Sequence, residues 1–122
     1  MLISMKIIWA IIQSRSLQKV IDALEHVSVQ ALTCMEVTGY NKETLIPREP
    51  HGYAELPKEM LMIVLADQEV AKAVIAIRTA VKSILKDNPD AKNSEHGKIF
   101  VTYVEDYYTI RIVRKNAEIP SA

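Results

Sequence analysis

Two stretches of this chain, Ile7 to Ile12 and Met60 to Ala66, are apolar at every position. Successive side chains of an extended strand point to opposite faces, so both stretches put apolar groups on both sides of a sheet. Neither suits a sheet that keeps one face in water. The strands built on them read Lys6 to Gln13 (KIIWAIIQ) and Glu59 to Ala66 (EMLMIVLA). The opening MLISMKIIWAII is interrupted by Lys6 and is too short to span a bilayer, so it reads as this first strand behind a short leader, with no membrane insertion.

The remaining elements follow from periodicity. Ser14-Arg15-Ser16 offers capping hydroxyls, after which Leu17, Val20, Ile21 and Leu24 recur at helical spacing, predicting an amphipathic helix that ends near His26. Val27 to Val37 reads as extended. Asp67 suits a helix N-cap, and Val70, Val74, Ile77, Val81 and Ile84 form one stripe with no proline before Pro89. Gly97 to Val104 predicts a fourth strand, and Tyr107 to Val113 a short further one. Thr38 to Pro57 (TGYNKETLIPREPHGYAELP) has neither period and carries Pro47 and Pro50, so it reads as a loop of about 20 residues, a length usually kept for function. Its low apolar content predicts mobility from Asn41 to Ala54 in the absence of a ligand or partner. Lys86 to His96 is polar and turn-rich, a second loop.

Strand, helix, strand, strand, helix, strand is the split βαβ or ferredoxin-like arrangement, an α+β fold with an antiparallel sheet and both helices on one face. With 122 residues the chain makes one domain, 1–122, and has no third layer for the second face of its sheet. A further copy of the same sheet is the simplest cover, which predicts an obligate symmetric oligomer.

Lys plus Arg and Asp plus Glu both number 15, so no net field draws nucleic acid or anionic lipid. The string GKIFVTYV is similar to the RNP1 motif of RNA-binding domains of this topology, but it stands on the fourth strand where RNP1 belongs on the third. The lone cysteine, Cys34, excludes an internal disulfide and suits a reducing cytosol as a core thiol. His26, His51 and His96 lack metal-like spacing and read as exposed loop residues, and no arrangement of carboxylates, serine or Cys/His suggests catalysis.

The combination of Leu32-Thr33, Glu36-Val37, Gly39, Leu56-Pro57-Lys58 and Gly97-Lys98-Ile99-Phe100-Val101, spread over nearly the whole chain, resembles the PII signal-transduction family. That resemblance implies a cytoplasmic homotrimer of ferredoxin-like subunits with an adenine nucleotide (ATP, ADP or AMP) in the intersubunit clefts. It also implies a long loop that docks on a membrane transporter or metabolic enzyme and reports nitrogen, carbon or energy status. Ile11, Gly39, Tyr40 and Val64 are then placed around the base and the loop root, and His96, Gly97 and Lys98 at the phosphate turn. Arg111 matches the first of two C-terminal arginines, with Val113 at the second and Arg114 beside it. Asn41, Lys42, Glu43 and Lys58 fall at the loop root.

Departures from the family pattern are specific. The family's phosphate turn reads Gly-Asp-Gly-Lys, whereas Ser94-Glu95-His96 precedes Gly97 here, so one cradle glycine is missing. Glu43 stands in place of the glutamine that helps hold magnesium and 2-oxoglutarate in the family. The resemblance leaves two alternatives: a PII-fold interaction module without nucleotide binding, and a metal-responsive trimer similar to CutA that uses Cys34 or a histidine.

Overall fold

A computed structural model of the chain describes residues 4–42, 53–86 and 96–112. Glu43, His51, Ser94, Glu95, Arg114, the centre of the long loop with its expected mobility, and most of the second loop lie outside the described residues.

Strand β1 (Met5–Gln13) leads through a 3-10 turn (Ser14–Ser16) into helix α1 (Leu17–Leu24). Strands β2 (Thr33–Lys42) and β3 (Tyr53–Ala66) follow, then a 3-10 turn (Asp67–Glu69), helix α2 (Val70–Leu85) and strand β4 (Gly97–Tyr103). All pairings are antiparallel, and the sheet order is β2-β3-β1-β4. This is the ferredoxin-like fold expected from the element order. No helix among the described residues is long and apolar enough to cross a membrane.

The doubly apolar strands sit side by side at the centre, where each needs cover on both faces. On one face Ile8, Ala10 and Ile12 of β1 and Leu61, Ile63 and Leu65 of β3 meet Val20 and Leu24 of α1 and Ala73, Ile77 and Ala80 of α2, all buried in one cluster. On the other face Ile7, Trp9, Ile11, Met60 and Met62 are half-buried, while Met35, Val64 and Phe100 are exposed. The helices cover one side of the sheet, and the second side stays apolar within this chain.

Five expectations are corrected. The predicted loop from Thr38 to Pro57 is a paired ribbon at both ends, Thr38 opposite Pro57 and Lys42 opposite Tyr53. Pro57 is tolerated inside β3 because β1 stops opposite Lys58, so no strand on that side asks for its missing N–H. Strand β2 begins at Thr33 rather than Val27: the His26 and Val27 N–H groups donate to the carbonyls of Ala23 and Leu24, and residues 25–32 cross to the sheet edge with Val27, Val29 and Leu32 against the core. Residues 107–112 form no strand: their strand-like composition meets no partner among the described strands, and the free edge of β4 stays unpaired by them. Neither Asp67 nor the serines cap a helix by side chain. The Asp67 carboxylate instead pairs with Lys6 Nζ at 2.8 Å, and its N–H donates to the Ser4 carbonyl. Cys34 is exposed rather than in the core, because it lies on edge strand β2 at the margin of the helices' cover.

Burial sets the expected stability pattern. Leu61, fully buried in central β3, should cost about 2–5 kcal/mol when changed to Ala, whereas Ile75→Ala on the exposed face of α2 should cost under about 0.5 kcal/mol. Equilibrium urea denaturation of both variants checks the difference, and equal losses would contradict this core assignment.

Candidate functional site

The apolar second face of the sheet is not flat. Ile11 stands opposite Lys98 on one side and Met60 on the other, and Lys58 stands opposite Val37. Directly opposed residues share a face, so Lys98, Ile11, Met60 and Met35 form one row across all four strands, and Lys58 and Val37 pair on the same face two residues further along. All of these but Met35, with Thr38, Gly39 and Gly97, line a depression of about 370 Å³.

Its two glycines are there for different reasons. A Cβ on Gly39 would stand 2.7 Å from Cδ and Cε of Lys58, so the lysine stem crosses the space that a side chain at 39 would fill. That placement keeps Lys58 nearly buried, 9% exposed, at the root of the hairpin. At Gly97 a Cβ would meet the Ile11 carbonyl oxygen at 2.8 Å, a backbone contact that cannot move aside. The β4 main chain therefore approaches β1 closely where it bounds the depression, and Lys98 follows with a cation. An apolar floor, two lysines and a bare stretch of backbone suit a ligand with a flat apolar part and an anionic part.

Of the residues singled out from sequence, Ile11, Gly39, Lys58, Gly97 and Lys98 converge here. Tyr40 alternates to the other face of β2 and is 61% exposed. Val64 shares the depression's face but pairs with Ile7, four residues along β3 from Met60, about 13 Å away. His96 is half-buried rather than exposed and lines a different cavity. Arg111 is exposed on the segment after β4 and lines neither, while Asn41 and Lys42 continue β2 beyond the depression. Val37 and Met60 were not among the candidates, yet the alternation running back from Gly39 and the register of β3 against Ile11 identify both.

On the helix side of β2 and β3 the Cys34 thiol donates to Glu59 Oε2 at 3.2 Å, and Glu36 lies directly opposite Glu59. Desolvation at the sheet, then the bond to Glu59 and the nearby carboxylates, push the Cys34 thiol up to about 11. The thiol is thereby held protonated, which makes it a poor soft-metal ligand. Among the described residues no group of three or more His, Cys, Asp and Glu could hold a metal ion.

Residues 5–114 match the family model for nitrogen regulatory protein P-II. A nifHD-region GlnB-like protein 1 of nitrogen fixation from Methanobacterium ivanovii is 35% identical over 107 residues, 88% of this chain and 94% of that protein. Its counterpart from Methanococcus maripaludis is 36% identical over 108 residues with the same shares. A nitrogen regulatory protein P-II from Rhizobium etli is 33% identical over 118 residues, 93% of this chain and 98% of that one. In fold, the crystal structure of Arabidopsis thaliana PII bound to citrate superposes with a TM-score of 0.60 at 20% identity, over 83% of this chain and 78% of that one.

The raised thiol pKa predicts slow alkylation. At pH 8, iodoacetamide should react with Cys34 some 10- to 100-fold more slowly than with a cysteine of ordinary pKa, and Glu59→Gln should shift the pH–rate midpoint down from about 11. A midpoint near 9 in the unaltered protein would contradict the Cys34–Glu59 contact.

Proposed function

This chain belongs to the nitrogen regulatory protein P-II family, whose members are signal transducers and not enzymes, and we propose that it senses an adenine nucleotide in clefts between the subunits of a trimer. One observation carries the reading: the depression that holds Gly97 and Lys98 also contains Thr38 and Gly39, where the ribbon leading to residues 43–52 begins. A ligand lying between these two walls touches the root of the hairpin directly, so its presence bears on whatever partner the hairpin meets.

The chemistry supports the same assignment. Ile11, Val37 and Met60 offer an apolar bed for a base, and Lys58 and Lys98 supply point charges for phosphate oxygens. Gly97 lets the β4 main chain lie close against β1, which sets Lys98 beside Ile11 at the edge of the depression. The depression is open on one side, and the face around it carries Trp9, Met35, Val64 and Phe100, which support a second and third copy as its cover. In that assembly Arg111, on the exposed segment after β4, is free of its own subunit's sheet and suits the outer phosphates. The partner of this reading is a transporter or a metabolic enzyme contacted through residues 38–57.

The missing cradle glycine before His96 favours loss of discrimination rather than a different ligand. With fewer donors facing the outer phosphates, ADP or AMP binds as well as ATP. The alternative is an interaction module that binds no nucleotide, which the same substitution of glycine would also suit.

Sedimentation velocity at micromolar concentration should show a trimer. Calorimetric titration with ATP, ADP and AMP, with and without magnesium, should show saturable binding that Lys98→Ala and Arg111→Ala each weaken about 10- to 150-fold, equivalent to roughly 1.5–3 kcal/mol, with the trimer intact. Absence of binding at millimolar nucleotide would establish the interaction module instead.

A further inference from the structure

A second cavity, of about 300 Å³, lies on the helix-covered side of the sheet between the C-terminal half of α2 and the start of β4. Its floor is Ile12 and Ile77, 2% and 1% exposed, and Val81, Leu85 and Ile99 wall it. Ile77, Val81 and Leu85 recur every four residues and form one ridge of α2. Arg78 and Lys82 form the neighbouring ridge, line the same cavity, and are exposed. Gly97, opposite Ile12, borders the cavity without adding a side chain to it.

Among the described residues the charged side chains lining this cavity are all cationic. Arg78 and Lys82 line it, and no aspartate or glutamate does among the described residues. The C-terminal end of α2 opposes an anion with only about half an elementary charge, against two full positive charges. Arginine adds a planar fork that matches carboxylate or phosphate oxygens two at a time. An apolar floor below a cationic rim selects an anion with a hydrocarbon body over a free inorganic ion or a neutral hydrocarbon.

We propose that this cavity binds a small anionic amphiphile. A short alkyl or comparable apolar body rests on Ile77, Val81, Leu85 and Ile99, and its carboxylate or phosphate-monoester head is held by Arg78 and Lys82. Resting on the function proposed above, the site is also placed to regulate. Gly97 and Lys98 line both this cavity and the depression on the opposite face, so an occupant of one bears on the backbone that bounds the other.

The test uses the full chain, isotope-labelled for methyl NMR, titrated with hexanoate, hexyl phosphate and hexanol in the absence of nucleotide. Hexanoate or hexyl phosphate should shift the methyls of Ile77, Val81, Leu85 and Ile99 and leave those of Val37 and Met60 in place. Whichever anion binds more tightly identifies the head group. Hexanol should bind at least about 10-fold more weakly, Arg78→Glu and Lys82→Glu at exposed positions should each weaken the anion by a similar factor, and Leu85→Trp should block it. No methyl shifts with either anion at millimolar concentration, hexanol binding as tightly as hexanoate, or indifference to both charge reversals would overturn the proposal. Because the readout precedes any nucleotide, failure of nucleotide binding leaves this site standing, and failure here leaves the nucleotide sensor standing. A repeat with ADP present should change hexanoate affinity by the factor by which hexanoate changes ADP affinity.

Discussion

Everything in this molecule is arranged around two adjacent strands that are apolar on both faces. One face of β1 and β3 is sealed by α1 and α2, where Ile8, Leu61 and Ile77 have essentially no contact with water. No described element covers the other face, since both described helices lie on the first. What remains is a surface of methionine, isoleucine and tryptophan bordered by Lys58 and Lys98. The depression is a property of that unsealed face. Had either helix crossed to it, the row from Lys98 through Ile11 and Met60 would be core, and the chain would have no shallow apolar bed with cations beside it.

The order β2-β3-β1-β4 then decides which residues meet. Placing the first strand between the third and the fourth brings Ile11 beside Gly97 and Lys98, nearly ninety residues further on. The loop root at Gly39 reaches the same depression through β3. No element supplies the site alone. Each strand contributes one or two residues, and the glycines at 39 and 97 let neighbouring groups come closer than side chains would permit.

Much of this was legible in the sequence because apolar alternation and helical stripes are local signals. The stripe through Val70, Val74, Ile77 and Val81 became α2, and the uninterrupted runs at Ile7 and Met60 became the central strands. The misread strand boundaries all involve pairing, which is not local. Val27 and Val29 are as β-branched as any strand residue, yet they serve as a connector because the edge they lead to is reached only at Thr33. Ile110 and Ile112 carry strand composition with no strand beside them. Pro57, read as the end of a loop, is harmless in β3 only because β1 ends one residue earlier in the ladder. Tyr40 and Val64 sit close to the site in sequence or in face, but strand alternation turns one away and register carries the other about 13 Å along. Cys34, read as a core residue from its type, has the margin of the sheet and the Glu59 carboxylate as its surroundings.

The ribbon beyond Lys58 has a mechanical side. From the level of Gln13, where β1 stops, β2 and β3 run on as two strands without neighbours to Lys42 and Tyr53, a free length of about 17 Å. Two-stranded ribbons twist more readily than wider sheets and hold their orientation less firmly. A lever of that length turns a tilt of about 10° at its base into a displacement of about 3 Å at its tip. The pivot falls at Lys58, whose stem lies across Gly39. The ribbon and the depression thus share a fulcrum, so a sub-ångström adjustment beneath Lys58 is magnified several-fold at the ribbon's far end.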